Sequence, residues 1–170
     1  MRKVFLVVFV LIIVVFFYGF FSFNKPLDKS THVDRIIVEK SKRRMKLYSN
    51  GELLKTYKIS LGRNPIGGKS FEGDNRTPEG IYYIKDKYVG KFHKSLYISY
   101  PNQQDRSDAQ KIGKNPGGSI LIHGLGEKFG WIGKMHLLID WTAGCIAVTN
   151  KEIDEIYADV PIGTPIEIIK

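Results

Sequence analysis

The longest hydrophobic segment of the chain is at its N-terminus, where residues 4–23 are almost continuously apolar. A segment of this length can cross a bilayer as a helix. Because Arg2 and Lys3 precede it, we expect the N-terminus to stay in the cytoplasm and the rest of the chain to lie on the extracytoplasmic side of the cell membrane. No small-residue cleavage motif follows, so we predict an uncleaved single-pass anchor in residues 1–23, with a cleaved signal as the alternative.

After this segment, residues 24–32 combine Pro26 with mixed charges and are predicted to be a linker. From residue 33 to 170, short apolar stretches alternate with turn signals, which predicts one mainly β domain with short helices, of the α+β class. Asn50-Gly51, between two such stretches, is a strong hairpin signal. The predicted strands are residues 33–40, 45–49, 52–61, 81–84, 96–100, 119–123, 145–148 and 165–169.

Helical signals occur in three places. Residues 101–112 are polar with apolar residues at helical spacing, and residues 129–139 place five apolar or histidine side chains on one helical face. Thr149 and Glu152 form a capping box that begins a helix extending to about residue 159. Residues 62–76, rich in glycine and charge, are predicted to be a long exposed loop.

Composition limits the class of protein. A chain of 170 residues has room for one catalytic or binding domain, and its single cysteine excludes a disulfide scaffold. The net charge is +9, but the basic residues are spread along the chain and no nucleic-acid motif accompanies them. We therefore expect an anionic polymer or a membrane surface as partner, and no nucleic acid.

The candidate chemistry is centred on Cys145, the single cysteine of a chain predicted to be exported. It follows Thr142-Ala143-Gly144 and begins an apolar strand. A turn of this kind leaves the thiol at the mouth of a strand and frees backbone N–H groups of Gly144 and Cys145, which could bind a developing oxyanion. The alternative is that Cys145 is simply a small buried hydrophobic residue.

A thiol nucleophile needs a base, and His123 is the best placed of the four histidines. It ends a predicted strand and is followed by Gly124, so its side chain can point into a cleft. His32 and His93 are expected to be solvated. His136 is expected either to take part in the packing of its helix or to lie on the solvated face of that helix. A zinc site built from His123, His136 and Cys145 is a weaker alternative, because the spacing matches no compact ligand pattern.

The order of these motifs resembles the L,D-transpeptidase catalytic domain, or YkuD domain, from residue 33 to the C-terminus. That family has a His-Gly followed by Ser/Thr-His-Gly-Cys, and this chain has His123-Gly124 and Thr142-Ala143-Gly144-Cys145. The Thr-Pro-x-Gly turn of the family is matched upstream. The segments that most resemble the YafK-type branch are Leu61-Gly62-Arg63-Asn64-Pro65, Phe71-Glu72-Gly73-Asp74, Thr77-Pro78-Glu79-Gly80 and Asp140-Trp141-Thr142.

The resemblance implies a β-sandwich-like mixed sheet with Cys145 as nucleophile, His123 as general base and a backbone carbonyl near Gly124 orienting the base. It implies peptidoglycan stem peptides as substrates, attack on the carbonyl of the third residue, release of D-alanine and transfer to an amine in cell wall biogenesis. No metal or other cofactor is implied. Thr142, Arg63 and Arg76 are the candidate substrate-binding residues, and Lys69 belongs to the same loop.

Three features depart from the family pattern. Ala143 replaces the histidine two residues before the cysteine, the arginine that usually follows soon after the cysteine is missing, with Ala147 nearby instead, and the interval from His123 to Cys145 is slightly longer. These differences leave two alternatives open. One is a cysteine hydrolase, an L,D-carboxypeptidase or amidase, that acts on the same wall linkages. The other is an inactive, membrane-anchored peptidoglycan-binding module.

Overall fold

The computed structural model describes Phe9, Leu11, Leu27 and residues 32–170. Apart from those first three residues, the predicted anchor and nearly all of the predicted linker lie outside the described residues. Within the described part of the chain, no helix combines the length and apolar character needed to cross a membrane. Leu27 packs against the core, and its backbone N–H donates to the Glu155 carboxylate.

Residues 32–170 form a mainly β domain with short helices, as predicted. The elements in chain order are β1 (Arg35–Glu39), β2 (Arg44–Ser49), β3 (Glu52–Lys58), β4 (Gly80–Gly90), β5 (His93–Ile98), α1 (Gln103–Lys111), β6 (Leu121–His123), a 3₁₀ segment (Gly130–Leu138), β7 (Ile146–Ala147), α2 (Asn150–Asp159) and β8 (Pro165–Ile169). The β2–β3 hairpin turns at Asn50 and Gly51, which both have positive φ, as an Asn-Gly turn requires. Both capped helices begin with a capping box, at Asn102 and Thr149.

The strands form one mixed sheet in the order β3-β2-β1-β8-β4-β5-β6-β7. The pairs β1–β8 and β6–β7 are parallel, and the other pairs are antiparallel. Just after β3, Ser60 exchanges two backbone hydrogen bonds with Ala147 of β7, at 3.0 and 2.9 Å. Because β3 and β7 are at opposite ends of the strand order, this contact curls the sheet until its two ends meet.

The core fills the inside of this curled sheet. Alternate residues of the strands point inward, and Ile36, Val38, Ile166 and Ile168 of the central β1–β8 pair are at most 1% exposed. Helix α2 covers one side of the core with Ile153 and Ile156. This packing fixes β6 and β7, which carry the site.

The predicted α-helix of residues 129–139 is wrong. Residues 130–138 form two short 3₁₀ pieces separated at Gly133, whose φ of 52° and ψ of −134° are not helical. Two glycines in this short segment raise the cost of an α-helix. The side chains expected on one helical face do not share an environment, since Phe129, Met135 and Ile139 are at least half exposed and only His136 is buried.

The loop of residues 62–76 has no regular structure, as predicted, but it is not freely exposed. Lys69 and Asp74 form an ion pair at 2.9 Å, and both side chains are only 4% exposed. Lys40, 2% exposed, donates to the carbonyls of Gly67 and Thr77 and to Glu79. The Lys69–Asp74 pair closes the loop on itself, and Lys40, directly after β1, ties the loop to the sheet.

Candidate active site

His123 is the last residue of β6, and Cys145 comes directly before the neighbouring strand β7. In the parallel register of these strands His123 lies opposite Ala147, and Cys145 comes two residues before Ala147. The pairing of β6 with β7 therefore places the two residues that the sequence nominated on neighbouring segments of the chain.

The His123 ring is held in one tautomer. Its Nδ1 lies 2.6 Å from the carbonyl oxygen of Gly124. A carbonyl oxygen only accepts, so Nδ1 carries the proton, and in the neutral ring Nε2 keeps its lone pair. Phe92 lies against the ring with 4.3 Å between centroids. The family resemblance implied that a backbone carbonyl near Gly124 orients the His123 ring.

Helix α2 holds the backbone that follows His123. Asn150, the first residue of α2, accepts from the Leu125 N–H at 2.7 Å and donates to the Gly126 carbonyl at 3.0 Å. A Cβ at Gly124 would come within 3 Å of Asn150 and of Ile153. Gly124 therefore allows α2 to pack directly against the chain that orients His123.

Cys145 lies beside the start of β6. Its Sγ is 3.7 Å from the carbonyl oxygen of Ser119, to which the thiol donates. Burial raises the pKa of the Cys145 thiol, while the Leu121 backbone N–H and the Lys69 ammonium act in the opposite direction. The thiol is therefore protonated at neutral pH.

His123 is also uncharged at neutral pH. It is 2% exposed, and burial lowers its pKa, although the hydrogen bond to Gly124 opposes that shift. The thiol and the imidazole are thus both neutral at rest. Groups in these states can react by general base catalysis, in which the imidazole takes the thiol proton as the thiol attacks.

The turn before Cys145 is fixed by Thr142. Its hydroxyl donates to the Cys145 carbonyl at 2.7 Å and accepts from the Gly144 N–H at 3.1 Å. Thr142 is 4% exposed, so it shapes the turn from inside. The Gly144 N–H, nominated as an oxyanion donor, is used within the turn in this structure.

The two arginines nominated for substrate binding differ in their contacts. Arg63 braces the turn, with its side chain donating to the Trp141 carbonyl at 3.1 Å and its backbone N–H to the Thr142 carbonyl at 3.0 Å. Arg76 lies against Gly144, because a Cβ on Gly144 would be 2.6 Å from the Arg76 carbonyl oxygen. The backbone of Arg76 is therefore next to the turn of residues 142–145. Arg63 contacts the same turn from its solvent-exposed side.

Known proteins resemble this chain in sequence and in fold. The family model described as the L,D-transpeptidase catalytic domain, YkuD, matches residues 33–168. The chain belongs to the YkuD family. YafK of Escherichia coli K12, a candidate L,D-transpeptidase, is 29% identical over 116 residues, which are 66% of this chain and 39% of YafK. The matched region is thus about two fifths of that relative.

Solved structures show the same fold for this YkuD domain. The helical cell shape determining protein Pgp2 from Campylobacter jejuni matches with a TM-score of 0.61 at 24% identity, covering 83% of this chain and 49% of Pgp2. An Enterococcus faecium L,D-transpeptidase, as its C442S mutant, matches with a TM-score of 0.52 at 16% identity, covering 82% of this chain and 50% of that chain. The expected mixed sheet is confirmed, in the form of one curled sheet.

The YkuD site of this chain contains a histidine that the motif comparison did not assign. Trp141 Nε1 donates to His136 Nδ1 at 3.3 Å, and the Ser60 hydroxyl donates to the His136 carbonyl at 2.9 Å. The Trp141 ring also meets the His123 ring edge to face, with 5.8 Å between centroids. Buried His136 and partly buried Trp141 therefore lie in sequence of contact behind His123, with Trp141 touching both rings.

His136 is neutral under physiological conditions. Burial, followed by repulsion from the His123 ring when that ring is protonated, lowers the pKa of His136 to about 4. Because indole N–H only donates, His136 Nδ1 is the acceptor, and its proton is on Nε2. His136 does not occupy the place of the family histidine, since Ala143 is exposed whereas His136 is 7% exposed.

The zinc alternative has no support in this arrangement. Among the residues described, no three His, Cys, Asp or Glu side chains are grouped so that they could hold a metal ion. His136 Nδ1 faces Trp141 and Ser60, while Cys145 Sγ faces Ser119.

Sequence reasoning missed Phe92, Trp141 and Asn150 as parts of the site. Trp141 carried the one usable signal, because it belongs to the Asp-Trp-Thr segment that resembles the YafK branch. Phe92 lies in the β4–β5 turn and Asn150 at the start of α2. Both are distant from His123 in sequence, so only the fold brings them close to the segment that contains it.

Proposed function

We propose that this YkuD domain is a peptidoglycan L,D-transpeptidase that works through a Cys145 acyl-enzyme. The observation that carries the proposal is His123, fixed by Gly124 with Nε2 free to act as base, on the strand adjacent to Cys145. Each partner is neutral at rest, so the proton has a defined donor and acceptor. Family membership and the fold relatives support an activity on the cell wall.

In the first half-reaction, Cys145 Sγ attacks the carbonyl carbon of the third stem residue, a diamino acid, while His123 Nε2 takes the thiol proton. The negative charge on the carbonyl oxygen is stabilised by the Cys145 N–H, and by the Gly144 N–H if Thr142 releases it. As the tetrahedral intermediate collapses, the C–N bond breaks, and His123 returns the proton to the nitrogen of the departing D-alanine. A thioester remains.

In the second half-reaction, a side-chain amine of a neighbouring stem attacks the thioester carbonyl. His123 takes a proton from the amine and returns it to the thiolate leaving group, so Cys145 is regenerated. The products are a cross-linked pair of stems and free enzyme. Atoms and charge balance without a metal or other cofactor.

A hydrolase is the second candidate, and one observation favours it. Ala143, an exposed methyl side chain, precedes the Gly144–Cys145 pair. A small group at this rim leaves a path by which water could reach the thioester. Water in place of the amine would make the enzyme an L,D-carboxypeptidase or an amidase on the same wall linkages.

Intact-mass spectrometry of the detergent-solubilised full chain tests the proposal. Incubation with disaccharide-tetrapeptide should give a Cys145 adduct that has lost D-alanine and, with a second stem as acceptor, a cross-linked dimer. Cys145→Ala and His123→Ala should give neither. His93→Gln is the matched control, because His93 pairs with Asp154 outside the site.

The other outcomes distinguish the alternatives. Loss of D-alanine without a dimer would identify the hydrolase. Binding of tetrapeptide that survives Cys145→Ala, with no adduct in the parent chain, would identify an inactive binding module.

We also propose that residues 1–23 anchor the chain in the cell membrane with the catalytic domain on the extracytoplasmic side, where peptidoglycan is found. After cell lysis, the full chain should remain in the membrane pellet through an alkaline carbonate wash. A version that begins at residue 24 should be in the soluble fraction. Recovery of the full-length product as a soluble species with the mass of a processed chain would instead identify a cleaved signal.

A further inference from the structure

The loop of residues 62–76 contains a buried arginine atom without an internal partner. Arg76 Nε is inaccessible to solvent and, among the residues described, has no hydrogen-bond acceptor. The described chain also provides no carboxylate within ion-pair distance of this guanidinium. Buried polar groups are nearly always hydrogen-bonded, so an unpaired one requires an explanation.

The neighbouring cations in the same region are all paired. Lys69 binds Asp74 at 2.9 Å, and Lys40 binds Glu79 at 2.8 Å. Asp74 is fully engaged, because it also accepts from the backbone N–H groups of Ser70, Phe71 and Arg76. The Asp74 carboxylate is thus used on Lys69 and on backbone N–H groups, and among the described residues the Arg76 guanidinium has no carboxylate partner.

Two independent contacts place the backbone of Arg76 next to the turn of residues 142–145. A Cβ on Gly144 would be 2.6 Å from the Arg76 carbonyl oxygen. A Cβ on Gly62 would be 2.2 Å from the Asn75 carbonyl oxygen and 3.1 Å from the Gly144 Cα. The backbone of residues 75–76 therefore packs directly on the residue before Cys145.

The side chain of Arg76 extends along the loop. Its Nη1 lies 3.5 Å from the position that a Cβ on Gly67 would occupy. Lys40 fixes this part of the loop through the Gly67 carbonyl, at 2.6 Å. The guanidinium therefore lies beside a segment of the loop that Lys40 fixes, and Arg76 is only partly covered.

We propose that Arg76 is the carboxylate-binding residue of the acyl-donor site, next to Cys145. A guanidinium binds a carboxylate through two parallel hydrogen bonds, and a held, unpaired arginine forms them with little loss of side-chain freedom. This inference rests on the proposed function for the identity of the donor. A stem peptide can supply the carboxylate from its terminal D-alanine, or from the third residue when that diamino acid carries a second carboxyl group.

The first test does not depend on peptidoglycan. The alkylation rates of Cys145 by iodoacetate and by iodoacetamide are compared, each relative to a free cysteine derivative. Arg76 should favour the carboxylate reagent, so Arg76→Gln should lower the iodoacetate-to-iodoacetamide ratio by about threefold or more. Arg76→Lys should retain part of the ratio. Arg35→Gln, which removes the same charge from an Arg35–Glu167 pair on β1, should leave it unchanged.

The second test measures tetrapeptide binding to the full chain with Cys145→Ala, with and without Arg76→Gln. Loss of a charged hydrogen-bonded pair should weaken binding by roughly tenfold to a hundredfold. Donors carrying a carboxamide at the terminal D-alanine, or at the third residue, identify the source. The donor that lacks the carboxylate recognised by Arg76 should bind with the same affinity to the chain that has Arg76 and to the chain with Arg76→Gln.

The outcomes separate this inference from the proposed function. An unchanged alkylation ratio in Arg76→Gln, together with undiminished tetrapeptide binding, would overturn the carboxylate site while leaving the acyl-enzyme intact. A ratio that depends on Arg76 in a chain that neither binds nor cleaves tetrapeptide would support the carboxylate site and overturn the peptidoglycan substrate.

Discussion

At the scale of single residues, the chemistry depends on which protons are present at rest. The Gly124 carbonyl fixes the proton of His123 on Nδ1, and burial keeps both His123 and Cys145 uncharged. In the proposed reaction the neutral Cys145 thiol is a weak nucleophile, so its attack requires His123 to take the proton in the same step. The rate of acylation should therefore report the protonation of His123.

The first prediction concerns pH. Burial lowers the pKa of His123 below its ordinary 6.5, so the base stays neutral as the pH falls through 6.5 and is lost only at lower pH. The rate of Cys145 acylation, followed by intact mass from pH 4.5 to 8, should fall on an acid limb with its midpoint below 6.5. A midpoint at or above 6.5 would contradict the structure.

The second prediction concerns Trp141, which meets the His123 ring edge to face and donates to His136. Trp141→Ala removes the contact that positions the base and should lower kcat by about tenfold to a hundredfold with little change in KM. Trp141→Phe keeps a ring against His123 and should recover most of kcat. Equal losses in both variants would show that the indole N–H, rather than the ring, is required.

At the scale of elements, the parallel strands β6 and β7 and the turn of residues 142–145 determine the position of the Cys145 thiol. Thr142 closes the turn, and Gly144 completes it with a φ of 135°, in a region that other residues rarely adopt. The Arg76 carbonyl packs where a side chain at 144 would be. Gly144 is thus required by both its conformation and its neighbour.

The third prediction follows from this packing. Gly144→Ala should destabilise the domain by about 1–3 kcal/mol and displace Cys145, with loss of acylation. Gly118→Ala is the matched control, because nothing lies within 4 Å of a Cβ at that glycine and its φ is not positive. Urea unfolding at pH 7.5 measures both. Equal midpoints for the two variants would contradict the turn geometry.

At the scale of the whole molecule, the site lies where the sheet closes on itself. Ser60 pairs with Ala147 to join the two ends of the sheet, and its hydroxyl also contacts His136. His136 is thus buried where the two ends of the sheet meet, near His123. Stability of the closed sheet is therefore linked to the charge of His136.

The fourth prediction uses this linkage. The pKa of His136 is about 4 in the fold and ordinarily 6.5, so below pH 6.5 the unfolded chain binds the extra proton. The free energy of unfolding should therefore fall as the pH falls, by about 2 kcal/mol from pH 7 to pH 5 through this residue. His136→Gln should lose less over that interval, measured by urea unfolding, whereas His32→Gln, exposed before β1, should behave as the parent chain. Parallel losses in both variants would contradict the burial of a neutral His136.

Several parts of the fold and site could be predicted from local sequence. The Asn50-Gly51 hairpin and the Thr149 capping box depend on neighbouring residues only, and both are confirmed. The 3₁₀ segment could not be predicted in this way, because its apolar spacing is helical while Gly130 and Gly133 oppose a helix. Which effect wins depends on packing, and the packing there buries only His136.

By itself, the sequence determined the order of the strands along the chain, the mainly β class and the nomination of Cys145 and His123, because these follow from short-range patterns and motif spacing. Only the tertiary structure decided that β6 and β7 are parallel neighbours, that Gly124 fixes the His123 tautomer and that Trp141 and His136 lie behind it. Only the tertiary structure buries Arg76 Nε with no hydrogen-bond partner among the described residues. These features are contacts between residues far apart in sequence, which form only when the sheet curls and its ends meet at Ser60 and Ala147.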